Sequence, residues 1–139
     1  MSVVFADTFC WIALTNVQDT AHERAKAFTS ISTPGAICTT EEVLTEYLNY
    51  FAAWGPKFRL KASVNVQNIL ESQTVQVVPQ TPASFSSGLD MYRARLDKGY
   101  SLTDCISMQT MRREGLIEVL TNDRHFDQEG FRVLFRGPA

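Results

Sequence analysis

Apolar and polar positions along this chain alternate between two spacings: short apolar runs of strand length, and longer stretches that repeat near 3.6 residues. Ser2 to Ala6 is an apolar run ending in Asp7-Thr8, after which Phe9, Trp11, Ile12 and Leu14 begin a helix. Asp19 to Ile31 has helical spacing at Ala21, Ala25 and Phe28, with His22, Glu23, Arg24 and Lys26 on the wet side, so His22 is expected at the surface. Pro34-Gly35 turns the chain into a brief strand, Ala36 to Cys38, and Thr39-Thr40 are plausible caps for a helix over Glu41 to Trp54. The pattern puts Val43, Leu44, Tyr47, Leu48, Phe51 and Trp54 on its buried face, with Glu46 at the border and Glu41 and Glu42 in an exposed first turn. Gly55-Pro56 breaks this helix and Lys57 to Ser72 forms the second arm of a helical hairpin. Val75 to Val78 reads as a strand, and Pro82 to Lys98 as a helix with Phe85, Leu89 and Tyr92 inward and Arg93, Arg95 and Lys98 outward.

The densest part of the pattern is Ser101 to Phe131. A helix opens at Ser101, and Asp104, Met108 and Met111 fall in one row, so a carboxylate heads an apolar stripe. Gly115 stops the helix, Leu116 to Leu120 is a short buried strand, and Thr121-Asn122-Asp123 places a second acid just past its end. Phe131 to Phe135 closes the pattern as a last strand, with Gly137-Pro138-Ala139 a frayed tail. Strands alternating with helices or helix pairs predict an α/β fold, a parallel sheet covered on both faces.

Composition narrows this to one domain over residues 1–139, because 45% hydrophobic residues in 139 suffice for a single good core. A net charge of -2 gives no global attraction to nucleic acid, so a phosphate-bearing ligand must be drawn by a local basic patch or by bound cations. Cys10, Cys38 and Cys105 are odd in number and set in apolar surroundings, which suits reduced core thiols in a cytoplasm. His22 and His125 have no Cys or His at ligand spacing. There is no apolar run of membrane-spanning length and no signal-peptide pattern, so a cytoplasmic protein is expected.

Asp7, Glu46, Asp104 and Asp123 are carried by different elements, and three of them sit at a strand end or helix start, where parallel α/β folds converge on one crevice. Each has an ordinary structural role available. Asp7 can cap the helix that follows it, Ser101 and Asp104 fit a capping box, Asn122 or Asp123 can cap the turn at Arg124, and Glu46 can be a solvated flank residue. Four carboxylates in one crevice repel unless protons or cations neutralise them, and oxygen ligands without His or Cys select Mg²⁺ or Mn²⁺. The chemistry that needs such a site is displacement at phosphorus, the hydrolysis of a phosphodiester, and it requires no His beside the acids. Lys57, Arg59 and Lys61, with Arg93 and Arg95, are the exposed basic positions expected to guide a phosphate backbone, with Arg112, Arg113 and Arg124 next in line.

The stretches VVFADTFCWIAL, VLTEYLNYF, DKGYSLTDCISM and LTNDRHFDQEGFRVL together resemble a PIN domain, most closely the VapC-type toxins of bacterial toxin–antitoxin pairs. The resemblance spans essentially the whole chain. It implies a three-layer α/β/α fold with a parallel sheet of about five strands, and Asp7, Glu46, Asp104 and Asp123 as the metal site of a Mg²⁺-dependent endoribonuclease in which Mn²⁺ substitutes. Thr8, Thr103, Thr121 and Asn122 become polar helpers, and Asp127 the alternative ligand. The resemblance also implies an RNA substrate, a homodimer and a small antitoxin that blocks the crevice. Receiver-type and haloacid-dehalogenase-type sites are disfavoured, because Asp7-Thr8-Phe9 lacks a second acid and no Lys follows Lys98. A non-catalytic RNA- or protein-binding module and a housekeeping RNA-processing nuclease remain as alternatives.

Overall fold

The computed structural model describes residues 3–135; Ser2 and the 137–139 tail, both assigned above, lie outside them. Five strands, β1 (Val4–Ala6), β2 (Ile37–Thr40), β3 (Val75–Val78), β4 (Glu118–Leu120) and β5 (Arg132–Val133), form one sheet in the order β3-β2-β1-β4-β5. Every neighbouring pair is parallel, with Val4 beside Ile37 and Ala6 beside Leu120. The chain winds outward from β1 to one edge and then returns to build the other. The reversal opens a crevice beyond the carboxyl ends of β1 and β4, the place where such sheets bind ligands.

Among the described residues seven helices surround the sheet: α1 (Thr8–Thr15), α2 (His22–Thr29), α3 (Glu41–Tyr50), α4 (Pro56–Glu71), α5 (Pro82–Ala94), α6 (Leu102–Glu114) and α7 (Arg124–Gln128). Phe5, Ile37, Tyr47, Phe51, Met108, Met111, Leu120 and Phe126 are fully buried and fill the core between them. Polar bonds pin α3 beneath the crevice: the Tyr47 hydroxyl lies 2.6 Å from Thr15 Oγ1, and Asn65 Nδ2 donates to both at 3.1 Å. Cys10, Cys38 and Cys105 are free and buried, and burial pushes the Cys10 thiol up to about 12.

Three helices depart from the pattern. On α5 the expected face is turned outward, with Phe85, Leu89 and Tyr92 at 54%, 38% and 48% exposure, while Ser84, Gly88 and Met91 face in. Gly88 is the reason. A Cβ there would lie 2.4 Å from Ile106 Cγ1, so α5 approaches Ile106 of α6 through its smallest residue, and Phe85, Leu89 and Tyr92 are left outside. On α3 Leu48 faces outward within the helix, and Trp54 lies beyond its end at Tyr50; both are partly exposed, whereas Val43, Leu44, Tyr47 and Phe51 remain buried. The first turn is also less open than expected: Glu41 accepts from the Gln80 N–H at 2.7 Å and Glu42 from Ser84 Oγ at 2.7 Å. His22 is not a surface residue. Its Nδ1 lies 2.8 Å from the Ala13 carbonyl oxygen and its side chain is 13% exposed, because it closes the α1–α2 corner.

Candidate active site

An opening of about 500 Å³ at the carboxyl ends of β1 and β4 is lined by Asp7, Glu46, Asp104 and Asp123 together with Thr8, Thr121 and Asn122. Asp7 stands at the cap position of α1 yet its side chain caps nothing. Thr121 Oγ1 donates to its Oδ2 at 2.9 Å, while Oδ1 is buried with no hydrogen-bond partner among the described residues. A buried carboxylate oxygen without a donor costs stability, so a capping account of Asp7 fails here. Burial first, and the Asp104 charge second, push its pKa up to about 7; the Thr8 amide and the Thr121 hydroxyl offset only part of this.

Asp104 does two things at once. It closes a capping box, accepting from the Ser101 N–H at 3.1 Å while its own N–H donates to Ser101 Oγ at 3.0 Å. Its carboxyl nevertheless lines the opening, and burial raises its pKa, opposed by the Ser101 N–H and aided by the charges of Asp123 and Glu46. Asp123 is likewise dual: its Oδ1 accepts from the His125 N–H at 2.9 Å, capping α7, and its N–H donates to Thr121 Oγ1 at 3.2 Å. Glu46 reaches in from α3, where Thr8 Oγ1 donates to its Oε1. Thr8 and Thr121 thus each orient one acid.

Thr103 stands apart. It lines a neighbouring cavity between α3, α5 and α6 rather than the acidic opening. Asp127 does not line the opening either. Nor do Lys57, Arg59, Lys61, Arg93 and Arg95. Arg59 donates to the Ala52 carbonyl at 2.9 Å, Lys61 to that of Thr15 at 2.8 Å, and Arg95 is paired with Glu129 at 2.9 Å. Lys57 and Arg93 are exposed, as is Arg124, which directly follows Asp123.

His125 corrects the expectation that no His stands beside the acids. Its Nδ1 lies 3.2 Å from Asp123 Oδ1 and 3.7 Å from Asp104 Oδ2, buried and without a hydrogen bond of acceptable geometry. One ligand atom from each of these three residues falls within 4.8 Å of the others. The cap was the available signal: an Asp that captures the N–H two residues on brings that residue's side chain to its own. Asp19 also lines the opening, its Oδ1 accepting from the Ala21 N–H at 2.8 Å, and no pattern in the sequence pointed to it.

Residues 4–131 match the PIN domain family. The chain belongs to the PIN-domain family. It is 27% identical over 129 residues to the 23S rRNA-specific endonuclease VapC20 of Mycobacterium tuberculosis in two strains, a match covering 93% of this chain and 95% of the relative. The crystal structure of Mycobacterium tuberculosis VapC20, a sarcin–ricin loop cleaving toxin, superposes with a TM-score of 0.79 over 92% of this chain and 95% of that one, at 27% identity. The five-stranded parallel sheet and its helices are thus a PIN fold. The residues fit a divalent cation. A buried Asp7 oxygen without a donor, an Asp104 carboxyl raised by burial and then by its neighbours' charge, and an imidazole nitrogen close to two acids are what a bound cation relieves.

Proposed function

We propose that this PIN domain is a divalent-cation-dependent endoribonuclease of the VapC toxin type. The observation that carries the reading is the convergence of Asp7, Glu46, Asp104 and Asp123 from four separate elements on one opening, with Asp7 Oδ1 left unpaired. These four acids would hold Mg²⁺, with Mn²⁺ as substitute. Bound there, the cation supplies the activation of a water and the neutralisation of charge at the phosphorus. Thr121 fixes the Asp7 carboxylate, Thr8 fixes that of Glu46, and the Ser101 N–H fixes Asp104, so the acids meet their ligand already oriented. Asn122 lines the same opening and offers an amide to the substrate.

The similarity to VapC20 supports RNA as the substrate. Lys57, Arg59, Lys61 and Arg93 remain proposed contacts to its backbone. Arg95, paired with Glu129 and still partly exposed, stays among them, and the exposed Arg124, which follows Asp123 in the chain, is a further candidate. The reading includes a homodimer and a small antitoxin protein. Two apolar rows on the outer surface support partners: Leu60 and Val64 along α4, and Leu89, Tyr92 and Leu96 along and just past α5. No helix among the described residues is long and apolar enough to cross a membrane, which is compatible with work in the cytoplasm. The test is cleavage of single-stranded RNA in Mg²⁺, in Mn²⁺ and in EDTA. Internal cuts that need the ion and stop on Asp7→Asn support the reading, and an ion-independent or absent cleavage overturns it.

A further inference from the structure

Beside the acidic opening lies a second cavity of about 320 Å³ between α3, α5 and α6, and Glu46 lines both. We infer that this cavity receives one nucleobase of the bound RNA, next to the phosphate being cut, and sets base preference at that position. The inference rests on the nuclease reading above.

The lining decides the class of ligand. No Lys or Arg lines the cavity and Glu42 and Glu46 do, so a phosphate is repelled. Its walls instead carry uncharged groups with open hydrogen-bonding capacity. The side chains of Thr45, Asn49, Gln80 and Thr103 make no hydrogen bond among the described residues. Two amides and two hydroxyls around a space, with carboxylate oxygens nearby, match the edge of a base that presents ring and amino N–H groups. The flat face has a partner too. Phe85 borders the cavity at 54% exposure and Ile106 at 5% exposure forms part of its lining, a surface on which an unstacked base can rest. The Gly88 contact that draws α5 onto α6 is what turns Phe85 outward to this place. An unstacked base and its own phosphate are neighbours in single-stranded RNA, and the shared Glu46 wall joins the cavity to the acids in the same way.

The test uses the full-length protein and the four nucleosides, which carry no phosphate and cannot be cleaved. Nuclear magnetic resonance titration is expected to show one nucleoside shifting the Thr45, Asn49 and Thr103 amides at least threefold more tightly than the others, and Asn49→Ala with Gln80→Ala to remove the difference. In parallel, a random RNA pool is cut in Mn²⁺ and the new ends are sequenced. The wild type should show a base bias at one position beside the cut, flattened by the double variant, while Phe85→Ala should raise KM by roughly tenfold without changing the bias. Either a lost nucleoside preference or a flattened bias supports the cavity as a base site. It is overturned if no nucleoside shifts these amides and the double variant cuts with the parental bias. It is also overturned if the variants change the sedimentation mass instead, which would mark the cavity as a contact between copies of the chain. A protein that binds a nucleoside here but cuts nothing overturns the nuclease reading alone.

Discussion

His125 Nδ1 and Asp123 Oδ1 lie 3.2 Å apart, held there because the same carboxylate oxygen accepts the His125 backbone N–H at 2.9 Å. The cap therefore does more than start a one-turn helix. It fixes an imidazole against two acids of the site, and the ring also packs edge-on with Tyr100, whose ring centre is 5.1 Å away.

His125→Phe keeps the ring contact with Tyr100 and removes the nitrogen. If that nitrogen belongs to the cation site, the upward shift of the unfolding midpoint in millimolar Mn²⁺ should shrink and cleavage should fall by roughly 10–100-fold. The midpoint in EDTA should change little. An unchanged Mn²⁺ shift would remove His125 from the site.

Asp7 gives the metal-free protein a signed pH dependence. Its carboxyl titrates near 7 in the folded state against 3.8 as a free group, so the folded protein holds a proton that the unfolded chain has lost. Stability in EDTA should therefore fall as pH rises from about 4 to about 7, by at most roughly 1.4 kcal/mol per pH unit from this group. Asp7→Asn lacks that slope, so its advantage over wild type should appear above pH 5 and level off beyond pH 7. Parallel melting curves in EDTA across this range check it.

Glu129 should act with the opposite sign. Arg95, Arg112 and Tyr100 all bond its 7% exposed carboxylate, and the Arg95 hydrogen bond leads in holding its pKa down to about 2 from 4.5. The stability it contributes is complete above about 4.5 and is lost as pH falls toward 2. Glu129→Gln should cost about 1–3 kcal/mol at pH 7, the figure kept modest because both arginines are partly exposed, and should flatten the acid limb of the melting-point profile.

The misread face of α5 shows what periodicity could and could not reveal. Phe85, Leu89 and Tyr92 satisfy a helical stripe as well as Ser84, Gly88 and Met91 do, and hydrophobicity alone favours the larger set. Which set is buried depends on how closely α6 approaches, and that is fixed by Ile106 opposite Gly88, a contact across 18 residues of chain. Gly88→Ala should destabilise by about 1–3 kcal/mol through this overlap, measured by denaturant unfolding. By contrast β1, β4 and their trailing acids were legible, because a short apolar run ending in Asp is local information. The four acids could each be placed on an element, and the sheet order brings them to one opening. His125 was not placed beside the acids although the Asp123 cap was open to reading, because the spacing of polar residues says nothing of which ring the cap carries inward, and Thr103 lines the neighbouring cavity because neighbours on one helical turn face different clefts.

Asp104 offers the sharpest separation of structure from chemistry, because its carboxylate both closes a capping box and lines the acidic opening. Asp104→Asn keeps the shape and can still accept from the Ser101 N–H, so loss of the cap should cost no more than about 1 kcal/mol. Removing a charge that burial and the neighbouring acids already oppose should return stability in the metal-free protein. The two effects offset, and the unfolding midpoint in EDTA should hold or rise. Cleavage should fall by orders of magnitude, because a carboxamide does not replace an anionic oxygen toward a hard cation. Asp127→Asn, outside the opening, is the companion variant and should retain most activity. If instead Asp104→Asn lowers the midpoint in EDTA and the folded fraction still cuts RNA at the parental rate, Asp104 is a capping residue only, and the cation site must be built from the remaining acids.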